Sequence, residues 1–153
     1  VRTKPINDNA VPAGNGTMVE VLARLWLLTG ETAYRDQAEA AAKLFSGDNP
    51  QYLLSIPGLL TAAELMQRAI QVVVVGEEDD APVRALMTAV RHSPSAPLVV
   101  LSRHGPDVVL PASHPAAGKT MVDGRPAAYV CVGQTCSSPL QDAEALRQAL
   151  SRA

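Results

Sequence analysis

Four consecutive valines, Val72 to Val75, set between Gln71 and Gly76, constrain this chain more than any other feature. An extended segment with β-branched side chains on both faces needs cover on both sides, which is the position of a central strand in a parallel sheet flanked by helices. Everything before it has a different rhythm. From Thr17 to Leu28, apolar residues Met18, Val21, Leu22, Leu25 and Leu28 recur at helical spacing, and Thr17 with Glu20 forms a capping-box pair. Thr29-Gly30 gives a left-handed stop, and a second helix runs from Thr32 to Phe45 through Tyr34, Ala38, Ala41 and Ala42. So short a joint predicts an antiparallel helical hairpin. Asn49-Pro50 signals a third helix leading towards Arg68, with a kink or a restart at Pro57-Gly58.

After Gly76 comes an acidic loop, Glu77 to Asp80, and then a helix opened by Pro82 with Val83, Leu86, Met87 and Val90 on one face. Pro97 to Leu101 reads as a second strand, parallel to the first across that helix. Asp107 to Leu110 and Ala127 to Val132 read as a third and fourth strand, separated by a loop from Pro111 to Arg125, and Asp142 to Ser151 reads as a closing helix. The expected fold class is therefore α/β. Residues 1–70 form a helical segment, and residues 71–153 form a small, mainly parallel module of four strands and two helices. With five aromatic residues in 153, the core must be aliphatic and Ala-rich.

A net charge of −2 without basic clusters argues against nucleic acid as a partner. No apolar run is long enough to span a bilayer, and no basic-then-apolar leader opens the sequence, so the expectation is a soluble, cytoplasmic protein without a membrane partner. Gly76 after a strand invites a phosphate-binding reading, but G-x-G-x-x-G is absent and four carboxylates follow, so a solvated acidic loop is expected. His92, His104 and His114 fall near element ends and read as surface residues. Ser102 and His104 lack the elbow and the orienting acid of a nucleophile pair.

Two places remain. Residues 8–17 gather Asp8, Asn9, Asn15 and Thr17 with two glycines ahead of a helix, where Asp8 and Asn15 suit sugar hydroxyls; the plainer reading is a loop whose polar groups cap that helix. Asp8, Asn9, Asn15 and Thr17 are the candidate ligand-binding residues. Cys131 and Cys136 match neither C-x-x-C nor a zinc knuckle. Cys131 on its strand reads first as a small buried hydrophobe. A turn at Gly133-Gln134 that brings Cys136 back to form a disulfide stands second, and metal binding last, since no His or acidic partner lies nearby. Redox participation by the pair is a further possibility. No metal and no cofactor is expected.

The run DNAVPAGNGTMVEVLARLWLLTGETAYRDQAEAAAKLF, the VVVVG strand and the block KTMVDGRPAAYVCVGQTCSSPL together resemble the carboxyl-terminal end of the large thioredoxin-domain-containing proteins related to spermatogenesis-associated protein. Asp8, Pro12, Gly14 and Asn15 match that family's first block. Lys119, Gly124, Pro126, Tyr129, Cys131, Cys136 and Pro139 match its last, with Ala127 and Gly133 as departures. The resemblance implies a thioredoxin-like domain, a central (α/α) toroid similar to six-hairpin glycosidases and N-acylglucosamine epimerases, and a small α/β end. This chain would supply the last toroid helices and that end, and its opening without Met fits a piece of a longer protein. No histidine precedes residue 92, so an epimerase-type acid/base histidine is not implied. Two functions follow as expectations. The chain is a non-catalytic fragment whose toroid binds or processes a carbohydrate-like ligand, or it is a structural module that closes the toroid and docks the thioredoxin-like domain. Its partners would be the remainder of that parent protein, and the fragment alone would self-associate.

Overall fold

A computed structural model describes residues 7–45 and 53–153. The chain divides into two compact units, Val1–Gln67 and Arg68–Ala153. The helical start expected at Asn49-Pro50 lies outside the described residues.

In the first unit, α1 (Gly14–Thr29) and α2 (Thr32–Phe45) form the hairpin, and α3 (Pro57–Arg68) completes it. Gly30 ends α1 in the left-handed conformation, at φ 76°, and donates its N–H to the Trp26 carbonyl at 2.7 Å. Pro57 is a restart, sitting where a helix needs no N–H. The core joins Val19, Ala38, Ile56, Leu59 and Ala62, with Leu22, Ala41, Ala42 and Met66 at its margin.

Two details of α1 depart from the sequence reading. The helix begins at Gly14 rather than at a Thr17 cap; Thr17 lies a turn inside and donates its hydroxyl to the Ala13 carbonyl, while Glu20 pairs with Arg24 at 2.9 Å. The buried stripe is Gly16, Val19, Ala23 and Leu27, whereas Met18, Val21 and Leu28 are exposed. α1 is apolar on more than one side, so spacing alone allowed either stripe inward. The small residues decide, because they let backbones approach: a Cβ on Gly16 would stand 2.9 Å from the Leu59 nitrogen.

The second unit is a mixed four-stranded sheet with two helices. Its elements are β1 (Ile70–Val75), α4 (Ala81–Arg91), β2 (Val99–His104), β3 (Ala127–Val132), β4 (Thr135–Cys136) and α5 (Ala143–Leu150), in the sheet order β2-β1-β3-β4. β1 and β2 run parallel, with Val72 opposite Leu101. β3 is antiparallel to β1, with Tyr129 opposite Val73, and β4 is antiparallel to β3. The sheet is thus parallel only at one pair. Asp107 to Leu110 is not a strand: Val108 and Val109 are exposed between Pro106 and Pro111, and β3 takes the place beside β1.

All four valines are buried. Val72 and Val74 meet Val83, Leu86 and Val90 of α4 and Leu146 and Leu150 of α5. Asp142 fixes the start of α5, its side chain accepting the N–H groups of Glu144 and Ala145 at 2.9 Å each. Val73 and Val75 are covered differently from expectation, by the Pro111 to Arg125 loop instead of a helix. Ala116, Leu110 and Met121 pack there with Tyr129, whose hydroxyl donates to the Thr120 carbonyl at 2.8 Å and ties the loop down. Among the described residues no helix is long and apolar enough to cross a membrane.

Gly76 closes β1 where a side chain has no room: a Cβ would lie 2.6 Å from Val83 Cγ2 and 2.9 Å from Pro126 Cβ. Gly76→Ala is therefore expected to destabilise the sheet unit by about 1–3 kcal/mol, the usual cost of overpacking, read as a lower denaturant midpoint at unchanged slope.

Candidate functional site

The loop ahead of α1 is organised by one carboxylate. Asp8 Oδ1 accepts the Ala13 N–H and Oδ2 accepts the Gly58 N–H, both at 2.6 Å, and the Asp8 N–H itself donates to the Ser55 carbonyl at 2.8 Å. Ala13 precedes α1 and Gly58 is the second residue of α3, so a single anion receives the amide-rich starts of two helices. These backbone hydrogen bonds hold the Asp8 carboxyl below the usual carboxylate range, against a smaller opposing effect of burial. A Cβ on Gly58 would meet Asp8 Oδ2 at 3.0 Å, so the glycine gives the carboxylate its access.

The other candidates lie around this node. Asn9 is exposed, with its N–H donated to the Val11 carbonyl at 3.2 Å; Asn15 is half-buried in the first turn of α1; Thr17 is exposed, its hydroxyl turned back on Ala13. The structure gathers the four into one loop and helix start, and it spends the oxygens of Asp8 on backbone amides.

A second polar group lies in the sheet unit and was not assembled from the sequence. His104 and His114 are half-buried rather than surface residues, with ring centroids 5.3 Å apart and edge to face. His114 Nδ1 accepts the Ala116 N–H at 3.1 Å, which leaves its proton on Nε2 when the ring is neutral. Among the described residues, His104 Nε2 is buried without a hydrogen-bond partner. Burial first, then the nearby His114 and Arg103, lowers the His104 pKa. Burial also lowers the pKa of Lys119, whose ammonium donates to the Pro115 carbonyl. The signal was available in part: residues 100, 102 and 104 alternate onto the face covered by the Pro111 to Arg125 loop, but the fold of that loop, which brings His114 in, has no periodicity to read. His92 is exposed, its ring against the Thr88 carbonyl.

Cys131 and Cys136 form a disulfide, which corrects the leading expectation of a buried free thiol. The two residues are directly opposite on β3 and β4, their Cα atoms 4.0 Å apart. The turn at Gly133, in left-handed conformation at φ 58°, folds the chain back as tightly as that pairing needs. Cys131 is buried and Cys136 is exposed. Among the described residues, no group of three or more His, Cys, Asp or Glu side chains is placed to hold a metal ion.

The chain is thus an α/β protein in which a helical unit precedes a disulfide-closed mixed sheet. It is similar to spermatogenesis-associated protein 20 of Homo sapiens, with 27% identity over 154 aligned positions, covering 98% of this chain and 20% of that protein. The chain therefore spans about one fifth of the length of that curated relative. No family model matches it. No solved structure matches it either.

Two outcomes test this site. The charged form of Asp8 is favoured by folding, so its stabilisation is present above the ordinary carboxylate pKa and is lost as the pH falls through the depressed folded value. Asp8→Asn is accordingly expected to lower the thermal midpoint at neutral pH, because its amide group opposes the Gly58 N–H, and the gap from the unsubstituted chain should close in strong acid. For the bridge, alkylation under denaturing, non-reducing conditions should label neither of the two cysteines, and prior reduction should expose both to the reagent.

Proposed function

We propose that this chain is a carboxyl-terminal module of a longer polypeptide, without a reaction of its own, and that its helical unit closes a helical array formed by the rest of that polypeptide. One observation carries the reading. The outer side of α1 presents Met18, Val21 and Leu28 to solvent at 55%, 46% and 37% exposure, on a helix whose opposite side is already packed. Leu44 and Leu60 add exposed aliphatic surface on α2 and α3. Such a patch on a small soluble unit marks a surface that another apolar face covers. The length of the similar human protein, of which this chain spans about one fifth, supports a longer parent that can supply that face. In this reading the remainder of the parent is the partner, including the thioredoxin-like domain that the sequence resemblance implies.

The second reading gives the parent a carbohydrate-like ligand at the loop ahead of α1. It is favoured by the exposed carboxamide of Asn9 on a loop that Asp8 pins at both ends. Asp8 then acts as the brace of the site, and Asn9 and Asn15 are the residues that meet the sugar. Asn9→Ala in the full-length parent separates the two readings: a weaker sugar titration supports the pocket, and an unchanged one removes it.

The closing role predicts that the isolated chain associates with itself through the uncovered helix face. Light scattering should give a mass above that of one chain. The double substitution Met18→Glu, Val21→Glu should return it to a monomer with an unchanged circular dichroism spectrum. A monodisperse monomer of the unsubstituted chain would count against this role.

A further inference from the structure

The two margins of the sheet are finished very differently. Beyond β3, the segment from Thr135 to Leu140 uses the outward backbone groups. Ala128 and Leu140 exchange two hydrogen bonds at 2.8 Å, and the Ser137 N–H donates to the Val130 carbonyl at 2.8 Å while its hydroxyl accepts the Val130 N–H at 3.1 Å. That margin is closed. The other is β2, whose ladder partner is β1 through six in-register pairs.

The direction of its backbone groups follows from the ladder. The Gly76 N–H donates to the His104 carbonyl at 3.0 Å, so His104, Ser102 and Val100 face β1. Leu101 and Arg103 therefore turn their N–H and C=O groups outward, where no bond to another described residue is seen, while the Val99 N–H is taken by the Ala96 carbonyl. Natural sheets blunt such margins with bulges, prolines or very short strands. β2 has six residues, no proline and a regular register.

Beside this margin, on the face shared by Leu101 and Arg103, a cleft of about 360 Å³ opens between α4 and the end of β2. Val83 and Met87 line it with apolar surface, and Arg84, Arg91 and Arg103 share it with Glu78 and Asp79. Arg103 is engaged by Glu78 at 2.9 Å and by the Gly76 carbonyl at 3.2 Å, and Arg84 by the Asp79 carbonyl. Arg91, exposed two turns further along α4, has no ion-pair partner among the described residues. A strand laid along β2 would direct every second side chain to this face.

We propose that the free margin of β2 receives an extended peptide segment carrying a carboxylate, which adds a strand to the sheet through Leu101 and Arg103 and places its acidic side chain against Arg91. Main-chain bonds supply the attachment and the arginine supplies the choice of charge. This surface lies wholly in the sheet unit, so it stands or falls independently of the apolar face of α1.

The probe is an eight-residue peptide alternating valine and glutamate, titrated into the chain while backbone amide exchange is followed by NMR. The expected result is a tenfold or greater slowing of exchange at Leu101 and Arg103. Binding should weaken as salt is raised, fall at least fivefold in Arg91→Glu, and disappear when the peptide is N-methylated at alternate residues. Three results overturn the proposal: no binding, binding that leaves those two amides unaffected, or equal binding of the matching valine–lysine peptide. Slow exchange at Leu101 and Arg103 in the free chain would also overturn it, since the margin would then already be covered, for example by a second copy.

Discussion

Every part of the sheet unit answers to one requirement, that β1 be dry on both faces and bonded on both sides. Its backbone groups alternate between β2 and β3, and its side chains alternate between a helical layer and a loop. Five of its six residues are buried and Gln71 is half-buried, so the strand is shaped by what surrounds it on every side. The parallel partner has to be reached by a crossover, which α4 provides, whereas the antiparallel partner comes from a distant part of the chain. The long loop between β2 and β3 is then the cover that the valines need where no helix is available.

The helical unit depends on a smaller device of the same kind. Asp8 joins the starts of two helices that are far apart in sequence, using charge where the sheet unit uses area. A short acidic side chain among Asn, Gly and Pro has the appearance of a binding loop, and its geometry shows how such a loop serves the fold. Each oxygen of that carboxylate is held by a backbone amide, which fixes its position between the two helix starts.

How much of this was legible in the sequence depends on which physical signal each element carries. The valine run, the Gly30 stop and the break at Pro57 are local features, and the structure places each where its chemistry puts it. The inward stripe of α1 was not legible, because the helix is apolar almost all round and the choice rests on Gly16 meeting the backbone of α3. The orientation of β3 was not legible either, since a strand's own side chains do not record the direction of its neighbour. Asp107 to Leu110 has a strand's composition, yet it pairs with neither margin of the sheet. For Cys131 and Cys136, spacing allowed a bridge without requiring one; what settles it is that Gly133 makes the turn tight enough to set them opposite each other.

That bridge encloses only a few residues, so it restricts the unfolded chain far less than a long-range disulfide does. Its effect is mechanical. Thr135 to Leu140 lies between β3 and α5, and a tension applied at the carboxyl terminus would peel it away one hydrogen bond at a time until the load reached Cys136. From there the force would pass through a covalent link into β3, leaving the buried valines the last part of the sheet to feel it.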